Sequence, residues 1–200
     1  MSFYNIVTQS SDSTIVSEYK PTAARSDAYQ SETDLEREFI ELLKIQGYEY
    51  LPIRNEADLI ANLRAKLEEL NKYKFSDSEW ERFFKTELAN SNEGIEDKTR
   101  KIQEEGRIAF KTDDGLTKNI TLIEKNNIHD NKLQVINQYV NDAGTHDNRY
   151  DVTILVNGFP LVHIELKRRG VAIKEAFNQI NRYERESFWA GSGLYDYVQI

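Results

Sequence analysis

The sequence predicts an α/β fold, a mixed sheet flanked by helices with additional helices N-terminal to it, and three observations carry that expectation. Helical periodicity occupies residues 33–105, short apolar runs bounded by turn residues occupy 107–164, and a helical period returns after Gly170. The layout in order is helices, strands, helix and a final strand.

Residues 1–30 are polar, with frequent Ser and Thr and scattered apolar positions, and read as a mobile arm; residues 31–200 read as the folded domain. Thr33-Asp34-Leu35-Glu36 has the form of a capping box and predicts a helix with Leu35, Phe39, Leu42 and Leu43 on one face, ending at Gly47. Leu59, Leu63, Leu67 and Leu70 recur at helical spacing and predict a second helix. Ser76-Asp77-Ser78-Glu79 caps a third carrying Trp80, Phe83, Phe84 and Leu88, and a more charged helical stretch runs from Ile95 to Glu105. From Arg107 the period changes. Ile108–Phe110, the turn residues Asp113-Asp114-Gly115 and Asn119–Ile123 predict a hairpin, Leu133–Val140 a further strand, and 150–167 a second hairpin that completes the sheet. Ile173, Ala176, Phe177 and Ile180 then mark an inward helix face. Tyr195–Ile200 predicts another strand, and its abrupt apolar end makes a fragment of a longer protein the expectation.

With 200 residues, no Cys and three Pro, the chain suffices for one domain with a substantial core and has no disulfide framework. No apolar run approaches the roughly 20 residues that span a bilayer, and Met-Ser-Phe-Tyr-Asn is not a signal peptide, so a cytoplasmic protein with no membrane partner is expected. The net charge of −8 opposes simple nucleic-acid affinity, but it is unevenly spread. Residues 31–106 carry 19 acidic and 12 basic side chains, a balance of −7, whereas 147–185 carry five acidic and seven basic, a balance of +2. A surplus of two supports few phosphate contacts, so affinity for DNA from this domain alone should be weak.

The chemistry concentrates between Tyr150 and Lys167, where two apolar strands joined at Asn157-Gly158 carry Asp151, Glu165 and Lys167. Charges in such strands are costly unless paired, hydrated or metal-bound. Glu165 and Lys167 share a strand face, and Asp151 joins them if the register allows. A bare two-residue turn would put Asp151 opposite Ile164 and on the wrong face. One extra residue sets Asp151 opposite Glu165, Thr153 opposite His163 and Leu155 opposite Leu161, so a bulge or three-residue turn is expected at Asn157–Pro160, where Pro160 has no N–H to lose. Two converging carboxylates are a sufficient protein share of a Mg²⁺ site, and the pattern reads as a metal-dependent phosphodiesterase. His163 flanks the site on the sheet face and reads, with His146, as structural. Arg168-Arg169 could position a nucleic-acid backbone.

These residues resemble the PD-(D/E)XK nuclease superfamily. More narrowly, Asn148-Arg149-Tyr150-Asp151-Val152 through Asn157-Gly158-Phe159-Pro160-Leu161-Val162 and Glu165-Leu166-Lys167, with Asn137-Gln138 upstream and Gln179-x-x-x-Tyr183 downstream, resemble the N-terminal nuclease domain of the type I restriction enzyme motor subunit, the HsdR family. The resemblance implies a restriction-endonuclease-like mixed sheet and Mg²⁺-dependent cutting of double-stranded DNA. It further implies an ATP-driven, helicase-like motor beyond residue 200, so that ATP belongs to the full-length protein only, with methylation and specificity subunits as partners. Asp151, Glu165 and the Leu166 carbonyl would hold Mg²⁺, and Lys167 would orient water or act as base. Gln179 and Tyr183, one helical turn apart, would support the phosphate or water. The superfamily often places a metal-shell Glu on the first helix; Glu36 fills the capping position here, which leaves Glu38 the freer candidate. A stand-alone RecB-like or recombination nuclease, or a silent nuclease fold used for DNA binding or assembly, are the alternatives.

Overall fold

Ser31, not Thr33, caps the first helix. Its hydroxyl accepts the Asp34 N–H at 3.1 Å, and α1 runs Glu32–Ile45. The cap lies two residues earlier than expected because Ser31-x-x-Asp34 offers the same acceptor chemistry and leaves Glu36 free to turn inward. The buried stripe of α1 is accordingly Glu36, Ile40 and Leu43, while Leu42 is exposed.

The computed structural model describes residues 3–9, 15–20, 31–141, 148–168, 173–183 and 193–199. Within the segment read as a mobile arm, β1 (Phe3–Gln9) and β2 (Ile15–Lys20) pair antiparallel. The two-residue β3 (Glu49–Tyr50) follows α1. Helix α2 (Glu56–Asn71) begins at Asn55, which caps Asp58 N–H at 2.9 Å, and buries Leu59, Leu63 and Leu67 completely. Helix α3 (Asp77–Phe83) opens on a full capping box of Ser76 and Glu79, and continues as a wide π-type turn through Leu88. Helix α4 (Ile95–Arg100) continues likewise through Glu105.

Beside the β1–β2 pair, the remaining described strands form two sheets rather than one. β4 (Arg107–Lys111) and β5 (Thr117–Thr121) make an antiparallel pair of their own. β6 (Leu133–Asn141), β7 (Asn148–Val156) and β8 (Phe159–Ile164) form an antiparallel meander, and β3 adds parallel to β6, giving the order β3-β6-β7-β8. The architecture is α/β, a mixed sheet flanked by helices, and is consistent with a restriction-endonuclease-like fold. The main core joins α2, α3, β4 and β5 to the sheet face bearing Ile136 and Leu155; α1 covers Val135 and Val152 on the other.

Helix α5 spans Ile173–Tyr183, with Ala176 and Ile180 half-buried and Phe177 exposed rather than inward. The expected strand at Tyr195–Ile200 is instead a 3₁₀ turn, Leu194–Tyr197. Leu194, Tyr195, Asp196 and Tyr197 are all buried, and a short run buried on every side carries no strand period to fix its conformation. Beyond the turn, the Gln199 N–H donates to the Leu161 carbonyl at 2.8 Å.

Candidate active site

The β7–β8 hairpin sets the register of the site. Asn157 and Gly158 take φ of 51° and 88°, the geometry of a two-residue hairpin turn, and pair Val156 with Phe159 and Leu155 with Pro160. The ladder then shifts, with Ile154 opposite Val162, Thr153 opposite His163 and Val152 opposite Ile164. Leu161 is therefore the extra residue. The expected bulge is present, but one residue beyond Pro160, and the expected Leu155–Leu161 pair is Leu155–Pro160. Pro160 gives no N–H to the ladder, and the carbonyl of Leu161, released by the bulge, is satisfied by Gln199. Continued past Ile164, this register brings Asp151 alongside Glu165.

Asp151 is half-buried, and its Oδ2 accepts the Leu166 N–H at 3.0 Å. The Glu165 side chain is fully enclosed; Oε1 accepts from Lys167 Nζ at 2.7 Å, and Oε2, which receives no N–H hydrogen bond, faces His163 Nε2 at 3.5 Å. Asp151 and Glu165 act on each other electrostatically. Burial pushes the Asp151 carboxyl up, the Leu166 N–H opposes it, and the Glu165 charge adds to the rise, so that its pKa reaches about 6. Burial pushes Glu165 up too, but His163, Lys167 and Asp151 outweigh it and hold Glu165 below its ordinary value. For Lys167, burial lowers the pKa, whereas the hydrogen bond and charge of Glu165, with Asp151 and Glu32, raise it overall. Lys167 is thereby held as an ammonium against Glu165.

This pair fits a hard divalent cation. Two adjacent carboxylates repel when both are charged, and one buried carboxylate oxygen has no N–H donor. Among the described residues no group of three or more His, Cys, Asp or Glu is arranged for a metal.

The remaining candidates are scattered more widely. Glu38 is exposed on α1. Glu36 is buried, with Oε1 accepting from Asn137 Nδ2 at 2.6 Å and Oε2 from Gln138 Nε2; Asn137 Oδ1 in turn accepts from Tyr50 OH at 2.9 Å. Gln179 is half-buried on α5 and Tyr183 is its last residue, with the Tyr183 side chain outside the described residues. His146 and Arg169 also lie outside them. His163 is buried, its ring edge-on to Tyr150 at 5.1 Å. Sequence reasoning missed Glu32, the first residue of α1, which accepts the Arg168 N–H at 3.4 Å and whose charge acts on Lys167. An acid in a first helical turn reads as a dipole partner, so nothing in the sequence marked it.

The family described as the type I restriction enzyme R protein N terminus matches residues 29–200. The type I restriction enzyme EcoprrI endonuclease subunit of Escherichia coli is 49% identical over 195 residues, covering 97% of this chain and 62% of that protein. The type I restriction enzyme SsaAORF53P endonuclease subunit of Staphylococcus saprophyticus is 40% identical over 177 residues, covering 86% of this chain and 18% of that protein. A putative type I restriction enzyme MjaVIIIP endonuclease subunit of Methanocaldococcus jannaschii is 36% identical over 84 residues, 40% of this chain and 8% of that protein. The chain thus spans less than two thirds of the relatives it matches.

Proposed function

The chain belongs to the family of type I restriction enzyme R protein N termini, and from that premise we propose that it is a Mg²⁺-dependent endonuclease domain that hydrolyses phosphodiesters of double-stranded DNA. The observation that carries this reading is the Asp151–Glu165 pair, buried together with Lys167 held against Glu165.

Asp151, Glu165 and the Leu166 carbonyl would hold the ion, which supplies Lewis-acid stabilisation of the phosphate and activation of water when bound. Below a pH of about 6 the ion would have to displace the Asp151 proton; above it the carboxylate is free to bind. The Leu166 N–H then fixes Oδ2, and Lys167 fixes Oε1 of Glu165, so both carboxylates are oriented before substrate arrives. Lys167 keeps its proton, directs N–H toward the reacting phosphate and offsets negative charge there, while Gln179 and Tyr183 support the phosphate or the attacking water. Arg168 is exposed at the same strand end and contacts the DNA backbone.

In the longer polypeptide, cleavage follows ATP-driven translocation by a motor region, and methylation and specificity subunits supply recognition. A domain with net charge −8 then needs little DNA affinity of its own. Among the described residues no helix is long and apolar enough to cross a membrane, and the complex acts in the cytoplasm, where its DNA is. The test is made in the assembled enzyme. Asp151→Ala, Glu165→Ala and Lys167→Ala should each abolish cleavage while ATP hydrolysis and translocation continue; cleavage at near-parent rate by any of them would put the chemistry elsewhere.

A further inference from the structure

Gln138 takes φ of 53° in the middle of β6. A left-handed backbone is uncommon outside Gly, Asn and Asp, and rarer still inside a strand. The ladder is also interrupted here: Asn137 pairs with Val152 and Tyr139 with Tyr150, but the rung between them, Gln138 with Asp151, is missing.

The side chains of both strands change phase at this rung. Along β6, Val135 lies in the layer under α1, Ile136 in the main core, and Asn137 again toward α1, where it binds Glu36. Strict alternation would send Gln138 to the main core and Tyr139 toward α1. Instead Gln138 also reaches Glu36, and Tyr139 enters the main core. Along β7, Leu155 lies in the main core, Thr153 bonds Tyr195 of that core, and Ile154 and Val152 lie under α1, yet Tyr150 enters the main core and stacks on Tyr139 at 6.1 Å. The register is the same on both sides, so no residue is inserted. A local twist makes the change, and it is centred on the rung that contains Asp151.

We propose that Gln138 is a positioning residue for Asp151: its left-handed turn, locked by the amide clamp on Glu36, rotates the strand pair so that the Asp151 carboxylate meets the Leu166 N–H and Glu165. The functional meaning rests on the metal-dependent reading above, but the geometry can be tested apart from it. An extended residue 138 would restore alternation, carry Tyr139 and Tyr150 off the main core, and shift the Asp151 backbone from its place beside Leu166 and Glu165.

The test compares Gln138→Gly, which permits the turn and removes the clamp, with Gln138→Val, whose branched side chain resists it. Gln138→Ala is the milder partner should valine prevent folding. Three quantities are read on the 200-residue chain: hydrogen exchange of the Leu166 amide by NMR, the Mg²⁺ dissociation constant by calorimetry, and Tm. The glycine variant should keep Leu166 protection and Mg²⁺ affinity within about threefold of the parent, whereas valine, and alanine to a lesser degree, should speed Leu166 exchange and weaken Mg²⁺ by roughly tenfold. A role in stability alone would make all amides and both variants follow Tm. Parent-like Leu166 exchange in the valine and alanine variants, or a glycine variant as impaired as valine, overturns the proposal. A parent chain that ignores Mg²⁺ would refute the metal reading alone, and Leu166 exchange would still decide the role of Gln138.

Discussion

Asp151 holds its proton to a pH of about 6 because it is buried beside Glu165. Its folded pKa lies above the ordinary 3.8, so the stability it contributes is complete below that value and is lost as pH rises through about 6. Glu165 is shifted the other way: its contribution is present above 4.5 and is lost as pH falls through its lowered folded value. Above pH about 6, then, two charged carboxylates face each other, and a cation relieves them. Mg²⁺ should therefore raise Tm clearly near about pH 8 and far less near about pH 5, where it must displace the proton. Melting curves with Mg²⁺ and with EDTA at both pH values check this, with Asp151→Asn as the variant that should lose the response. An equal Mg²⁺ shift at both pH values would mean that Asp151 is not the titrating ligand. Asp151, Glu165 and Lys167 could be picked out in the sequence because charge interrupts apolar strands. Glu32 could not, since an acid at a helix start has an ordinary reason to be there.

Hairpin β7–β8 shows how far an element can be read. Asn157-Gly158 announces a turn with both residues at positive φ, and the absent N–H of Pro160 marks where the ladder breaks at low cost. The break falls at Leu161 because its carbonyl finds Gln199, a contact from a distant segment that no local pattern contains. Strand β3 escaped for a simpler reason, since two residues show no period. The turn is also built against α2. A Cβ on Gly158 would lie 2.6 Å from Leu63 Cα and 3.1 Å from Leu63 N, and φ of 88° disfavours any side chain. Neither the helix backbone nor the turn can yield cheaply, so Gly158→Ala should cost roughly 2–4 kcal/mol in urea unfolding. It should also weaken Mg²⁺ binding, because the same turn fixes which face Asp151 and Glu165 share. A stable variant with parent-like unfolding would show that the hairpin tip is not pressed on α2.

At the scale of the whole molecule, the segment 193–199 ties the helical layer to the strand that carries the site. Tyr197 OH donates to the Leu88 carbonyl at 2.9 Å, Gln199 holds the Leu161 bulge, and Lys98 of α4 pairs with Asp196 across 98 positions of sequence, both side chains buried. In the sequence, Lys98 stands in a charged helical stretch and Asp196 in an apolar run read as strand; only closure of the chain brings them together. A buried ion pair gains little over apolar packing, because desolvation offsets the attraction, but removal of one partner strands the other charge. Lys98→Met and Asp196→Leu should each cost about 3–5 kcal/mol alone. The double substitution, which leaves no charge to bury, should cost much less than the two together, and a double-mutant cycle by urea unfolding measures the difference. The single variants should also loosen the Leu161 bulge through Gln199 and so weaken Mg²⁺ binding, which the double variant should restore. Additive losses would instead mean that water reaches the pair, and that the segment is held by Tyr197 and its apolar neighbours.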